Sequence, residues 1–399
     1  MKKAQLIKDA KRNLRLVMAE STVTAGLLAM SIMTPFFNSI GLNSEQIALT
    51  QVIFTIAVMV LDIPTGYIAD RLSRKWANVI GDFVGGVMLL FYANVCSFTG
   101  AVICETILGV VSALSGGVDQ SLLKHFSGKL AIATGEKEQR ILKTKTAKLQ
   151  VAKFACTIIL LALGGPIGAI DLRLAIALSS VTEFTGAIIS LFIKDDSEKL
   201  IPVHKDPIKD MAHVTKAALK NKPLRWRILA YAVGREMTHG IIWIATPLFM
   251  QAGVPLTIVS LAWAINAAMA MLGAELARRF SHKMSDRQIL IVPAVLMSVS
   301  MLVMGININI VTVWLYGLMG IVQGWVAGTH SPMVQKHAKS SEQTSVLSLA
   351  RVVSDLLYIP SVWLIGLAAD IRLEYSLLTA LAIFLPLSII AIIKVKKSV

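Results

Sequence analysis

Asp62-Ile63-Pro64-Thr65-Gly66-Tyr67-Ile68-Ala69-Asp70-Arg71-Leu72-Ser73-Arg74-Lys75 is the stretch on which the fold turns. Before it, residues 47–69 are almost wholly apolar, and a second apolar run begins at 77. About 20 apolar residues suffice to cross the hydrocarbon core of a bilayer as a helix. Backbone polar groups in lipid must be satisfied within the segment, so both runs are helices. The quoted stretch is then the end of one spanning helix and a short charged turn into the next. Gly66 allows a second helix to approach closely. Asp70, at a helix end, can accept charge-assisted hydrogen bonds from Arg71 or Arg74, or cap the N-terminus of a helix elsewhere. A contact of that kind holds one conformation and must break for another.

Outward from this turn the pattern repeats. Apolar segments fall near 14–39, 47–69, 77–98, 101–123, 147–169, 172–193, 226–251, 257–279, 288–306, 310–332, 345–368 and 374–394. Twelve helices need about 240 residues, and the chain has 399. Of these, 55% are hydrophobic and only 16% charged, against about 25% charged in a soluble domain. An ordinary soluble enzyme, a disordered chain and a nucleic-acid-binding module are thereby excluded.

The net charge of +15 is a matter of topology. Of 39 Lys and Arg, 34 fall in the two tails and in alternate loops. Arg173 and Arg372 fall on the other side, and Lys153, Arg235 and Arg351 lie inside apolar segments. This asymmetry places both termini in the cytoplasm of a cell (inner) membrane protein. The basic excess attracts anionic lipid and is not a nucleic-acid footprint. The basic N-terminus precedes a long apolar run without a small-residue cleavage site, which reads as a retained first helix. Cys96, Cys104 and Cys156 have no CxxC spacing, so neither a disulfide framework nor a zinc site is expected. Glu236-Met237-Thr238-His239 has the E-x-x-H spacing of di-iron bundles but no second copy, so no metal is expected. There is no Walker A run, no H-E-x-x-H and no G-x-S-x-G, and neither a cofactor nor an enzymatic activity is expected.

The longest polar stretch, 194–225, reads as a cytoplasmic linker between a six-helix bundle at 1–193 and another at 226–399. Ile208 to Lys220 within it could lie on the membrane surface as an amphipathic helix. The loop at 124–146 is also long and basic. Thr34-Pro35-Phe36-Phe37 with Gly41 recurs as Thr246-Pro247-Leu248-Phe249 with Gly253, and Arg71-Leu72-Ser73-Arg74-Lys75 recurs as Arg279-Phe280-Ser281-His282-Lys283. Both pairs sit at matching places in the two halves. Parallel six-plus-six repeats are a transporter architecture with the substrate path between the halves. Pro35 and Pro247 are expected to kink helices 1 and 7 as a gate.

The opening stretch resembles the signature of the major facilitator superfamily between helices 2 and 3, roughly G-x-x-A-D-R-x-G-R-[RK]. Gly66, Ala69, Asp70, Arg71, Arg74 and Lys75 match it, and Ser73 replaces a glycine. The preceding Asp62-Ile63-Pro64-Thr65-Gly66 and the later Ser115-Gly116-Gly117-Val118-Asp119-Gln120-Ser121 look like a bacterial exporter branch, as does Ser345-Val346-Leu347-Ser348-Leu349. The resemblance implies an all-α integral membrane protein with 12 transmembrane helices as two six-helix pseudo-repeats. It implies a conformational latch at Gly66, Asp70, Arg71, Arg74 and Lys75. Helices 1, 4, 7 and 10 would line the cavity, with helix 2 meeting 11 and helix 5 meeting 8. Two departures weaken the drug-exporter pattern. Glu105 stands where such exporters carry an arginine in helix 4, and Leu163-Gly164-Gly165-Pro166-Ile167-Gly168 keeps only part of the helix 5 run.

Charged side chains inside a bilayer are costly and therefore functional candidates. Glu20 lies about 12 Å into helix 1, and Glu236 and His239 share a face of helix 7. These three are the candidates for proton coupling, since a buried carboxylic acid can take and release a proton near neutrality and imidazole titrates in the same range. Glu105 and Arg235 are substrate-cavity candidates, with Met30, Met33, Phe36, Phe37, Trp243 and Trp325; Met237 and Met319 are further ones. Methionine and aromatic walls suit amphiphilic ligands of variable shape. On the family map Asp62 would pair with Arg351 and Lys153 with Glu275 as structural ion pairs. The expected function is proton-coupled efflux of a small amphiphilic drug or metabolite by a monomer, with small-molecule substrate, protons and membrane lipids as partners. Symport import, lipid flipping and a non-transporting sensor remain the alternatives.

Overall fold

The structure, a computed structural model, describes residues 2–71, 74–194, 215, 216, 218, 220–338 and 343–396, and of these the side chains of 2, 62–71, 344 and 396 lie outside the described set. Among the described residues every regular element is helical. The chain forms two compact units, one of Met1–Met33 with Ile56–Val203 and one of Thr34–Thr55 with His204–Val399. The division differs from a cut at the linker in one segment, Thr34–Thr55, which packs with the second unit.

The first unit holds α1 (Lys2–Val23), the inner part of α3 (Ser44–Arg71), α4 (Arg74–Tyr92), α5 (Phe98–Ser115), α6 (Val118–Thr134), α7 (Glu138–Ile170) and α8 (Leu172–Leu191). The second holds α2 (Met33–Ser39), the outer part of α3, α9 (Lys222–His239), α10 (Ala245–Gln251), α11 (Leu256–Phe280), α12 (Asp286–Ile306), α13 (Tyr316–Gln335), α14 (Gln343–Ile371) and α15 (Leu373–Lys396). Eight helices among the described residues are long and apolar enough to cross a membrane by themselves, α5 with α6 counting as one. Of the other spans, 1 and 7 are each broken into two helices, while 3 and 10 are α4 and α13, which carry Asp82 and His330.

The breaks correct the expectation of proline kinks. Span 1 is interrupted over residues 24–32 and span 7 over 240–244, upstream of Pro35 and Pro247. Both prolines fall in the first turn of a seven-residue helix, α2 or α10, where a missing N–H costs nothing. The freed backbone of the first break is satisfied from α7. Thr157 Oγ1 donates to the Ala25 carbonyl at 2.8 Å, and Gly164 lies so close to the Leu28 carbonyl that a Cβ there would collide. Irregular backbone at membrane depth survives where protein covers it in this way. The sequence repeat is also a structural one. Gly41 and Gly253 have φ of 85° and 82°, and Leu42 N–H donates to Phe37 O, and Val254 N–H to Phe249 O, each at 3.0 Å. Both are helix ends closed by a left-handed glycine.

Two further expectations change. Span 4 is not one helix: Gly117, at φ 79°, separates α5 from α6. The stretch 124–146, expected as a loop, is almost entirely helical, with Gly135 at φ 81° marking the turn from α6 to α7. Leu122, Leu123 and Phe126 of α6 and Leu149 of α7 pack with Leu14 and Val17 of α1 into one core. Within the second unit, Gly320 and Gly324 of α13 lie against the Asn266 and Ala270 carbonyls of α11, and Gly273 of α11 against the Ile321 carbonyl of α13. Small residues on both faces bring the two backbones together. Most of the linker at 194–225 and of the stretch Ile208 to Lys220 lies outside the described residues.

Candidate functional site

The last two turns of α9, just before the span 7 break, carry Arg235, Glu236 and His239. Glu236 is 1% exposed. It accepts a hydrogen bond from Ser354 Oγ of α14 at 2.5 Å and lies 3.4 Å from Arg235 Nη1. That same nitrogen donates to Asp355 Oδ1 at 3.0 Å. Two carboxylates on adjacent helices therefore share one guanidinium, and a third polar group, the Ser354 hydroxyl, completes the set. His239 Nδ1 is 2.8 Å from the Arg235 carbonyl, within its own helix. One turn beyond Asp355, Tyr358 OH receives the Trp243 indole N–H at 3.3 Å. Phe37 of α2 stacks near Trp243 with centroids 6.4 Å apart. The result, inside the second unit, is a charged cluster continued by an aromatic group at the break.

Of the expected cavity residues, Arg235, Phe37 and Trp243 meet in this group, and Phe36 joins it through Phe37 at 6.0 Å. Phe36 and Phe37 are fully buried. Trp325 is turned into the bundle, where its indole donates to the Ile289 carbonyl at 3.1 Å. Met237 and Met319 are buried, whereas Met30 and Met33 are half-buried. Glu105 is buried in the first unit and accepts from Tyr92 OH at 3.0 Å. Glu20 is also buried there, whereas Glu236 belongs to the second unit.

Both members of the expected Lys153–Glu275 pair have bonded partners within their own unit. Lys153 is bonded to Asp119 at 2.8 Å, its neighbour across α6 and α7. Glu275 is held by Arg278 at 2.6 Å and by Arg279 at 2.5 Å, three and four residues on in its own helix. Nearby partners within each unit thus take up the charges assigned to a Lys153–Glu275 pair. Arg351 is exposed, and the side chains of Asp62, Gly66, Asp70 and Arg71 lie outside the described residues. Of the latch motif, Arg74 is half-buried and Lys75 Nζ donates to the Leu191 carbonyl at 2.6 Å. Sequence reasoning counts Asp355, with Arg351, among the charged groups inside apolar segments but gives it no partner, and it passes over Ser354 and Tyr358. A signal for Tyr358 existed: it lies three residues after Asp355, on the same face of a largely apolar helix. Among the described residues no group of three or more His, Cys, Asp or Glu is placed to hold a metal ion.

A broken span with a buried charge cluster beside the break is a membrane-transport architecture. The model of the Major Facilitator Superfamily matches residues 17–362. The chain belongs to that superfamily, and its fold is that of a multi-pass secondary transporter. Among solved structures it resembles the nucleoside transporter NupG, at 14% identity, 98% coverage of each chain and a TM-score of 0.74. It resembles the POT family transporter PepTSo at 11% identity, with 97% of this chain and 98% of that one covered and a TM-score of 0.72. A D-xylose-proton symporter matches at 13% identity, 96% coverage of each chain and a TM-score of 0.69. At these identities the likeness concerns the fold. A comparison with curated proteins gives no match.

Proposed function

We propose that this protein is a proton-coupled transporter of the cell membrane, with both termini in the cytoplasm, that exports a small amphiphilic compound by alternating access. One observation carries the coupling: Glu236 and Asp355 share the single guanidinium of Arg235 inside a membrane span. Glu236 is buried against that guanidinium, and a proton taken up by one of the two carboxyls would loosen its hold on Arg235. Release of that proton, or its displacement by a cationic substrate group, would shift the balance between conformations through differential affinity. Phe37, Trp243 and Tyr358 offer the apolar and hydrogen-bonding surface an amphiphile needs.

Purified protein in liposomes, with an imposed proton gradient, tests this. Substrate should move against the proton flux, and Glu236→Gln should abolish the coupled movement while the protein stays folded. A folded Glu236→Gln variant that still couples transport to the gradient removes the assignment. Import by symport is the second reading, favoured by the likeness to a D-xylose-proton symporter. Reversing the gradient and following the direction of solute movement separates the two.

A further inference from the structure

The first unit buries a second set of acids that the Glu236 cluster does not involve. Asp82 of α4 and Glu183 of α8 sit in reciprocal glycine niches. A Cβ on Gly186 would lie 2.8 Å from Asp82 Oδ2, and a Cβ on Gly85 would lie 3.3 Å from Glu183 Oε2. Each helix thus gives up a side chain three residues from its own acid to admit the acid of the other. Glu20 of α1 completes the group, with Thr24, one turn on, packed against the same Gly186.

Glu20 is 3% exposed and Asp82 7% exposed. Glu20 Oε2 and Asp82 Oδ2 are buried and have no hydrogen-bond partner among the described residues. The charged groups facing Glu20 are Asp82 on α4, Asp119 on α6, Lys153 on α7 and Glu183 on α8. The one cation among them, Lys153, is bonded to Asp119 at 2.8 Å. Asp119 in turn accepts from Ser21 Oγ at 2.7 Å and from the Gln120 N–H at 2.7 Å. That pair is closed on itself, leaving three acids without a cation of their own among the described residues. Buried carboxylates with bare oxygens call for a positive ligand. The acids themselves fill the glycine niches, and no metal-holding cluster occurs among the described residues. The ligand that fits is a proton.

We propose that Glu20, Asp82 and Glu183 form a shared proton-binding site inside the first unit, separate from the Glu236 cluster. The site goes beyond the coupling proposed for helix 7 and supplies a second protonation event. Carboxylates that interact in this way titrate as a set rather than one by one.

Dicyclohexylcarbodiimide, which labels protonated carboxyl groups in apolar surroundings, tests the site on the intact purified chain by peptide mapping. Label should appear on at least one of Glu20, Asp82 and Glu183. It should fall about tenfold per pH unit above its midpoint, as loss of a single proton requires. Absence of label on all three at every pH overturns the proposal, as does label that ignores pH. Protection by sodium but not potassium at fixed pH also overturns it, by showing a metal cation in the site. In Asp82→Asn that elutes as a folded monodisperse species, the midpoint for the remaining acids should move; an unchanged midpoint sinks the shared site. The unsubstituted chain decides the matter even if that variant does not fold. Label on Glu236 is read separately, so either site can fail without the other.

Discussion

Arg227 is 1% exposed, the largest fully buried side chain among the described residues. Its Nε and Nη2 both meet Asp286 Oδ2 at 2.8 Å, and Nη1 donates to the Pro223 carbonyl at 3.0 Å. Asp286 opens α12 directly after the Ser285 capping box, so the arginine ties α9 to the start of α12. Removing one partner of a buried pair leaves the other uncompensated, at about 3–5 kcal/mol. Arg227→Ala should therefore lower the melting temperature strongly, while Arg227→Ala with Asp286→Ala should recover part of the loss. Equal loss in the single and double variants would contradict the pairing. Contrast Arg235, also on α9 but two turns further along it, which serves two acids at the break in span 7. Sequence singled out Arg235 because it sits in an apolar run, and passed over Arg227 because it lies near the linker. Hydropathy locates charges along the chain; it does not say which carboxylate, on which other helix, receives them.

At the scale of elements, the twelve spans were legible because lipid forces an apolar run of fixed length. The helix breaks were not. Pro35 and Pro247 suggested kinks at the prolines, yet the chain opens upstream, where in span 1 Thr157 and Gly164 of α7 cover the bare backbone. That cover comes from a helix more than a hundred residues away in sequence and leaves no local trace. The same holds for Gly324, whose role is set by the Ala270 carbonyl of α11. A Cβ there collides with backbone, which cannot swing aside as a side chain can. Gly324→Val should therefore separate α13 from α11 and lose most of the monodisperse protein on gel filtration; overpacking typically costs about 1–3 kcal/mol or more. Gly317, in the same helix, has nothing within 4 Å of the place a methyl group would take. Gly317→Ala should be neutral or stabilise by about 0.5–1 kcal/mol. If both variants behave alike, close backbone packing is not what these glycines provide.

For the whole molecule the telling segment is Thr34–Thr55, which belongs by chain order to the first repeat and by packing to the second unit. Its anchors are specific. Both oxygens of Asp370, near the end of α14, accept from the N-terminal N–H groups of α3, Ser44 at 2.6 Å and Glu45 at 2.9 Å. The Trp363 indole donates to Glu45 Oε1 at 3.2 Å. Thr34 Oγ1 donates to the Trp243 carbonyl at 2.9 Å, in the span 7 break. A carboxylate on the exposed N–H groups of a helix start is a favourable but modest contact, about 0.3–1 kcal/mol from the dipole. It is also reversible, as a gate must be. Under the alternating access proposed above, this segment is expected to leave α14 once per cycle. Ala48 and Gly366 test that requirement, since a Cβ on Gly366 would lie 2.7 Å from the Ala48 Cβ. A disulfide needs a Cβ separation of about 3.5–4.5 Å, within reach of a small adjustment. In a background with Cys96, Cys104 and Cys156 replaced by serine, Ala48→Cys with Gly366→Cys should cross-link on oxidation. Transport in liposomes should stop and return on reduction, with either single variant insensitive to both treatments. Undiminished transport by the fully cross-linked protein would show that Thr34–Thr55 stays on α14 throughout, and that movement for substrate entry occurs elsewhere. Asp370→Asn should act in the opposite sense, weakening the docking without a covalent bond. It should speed cross-link reversal on reduction only if the docking is what holds the segment in place.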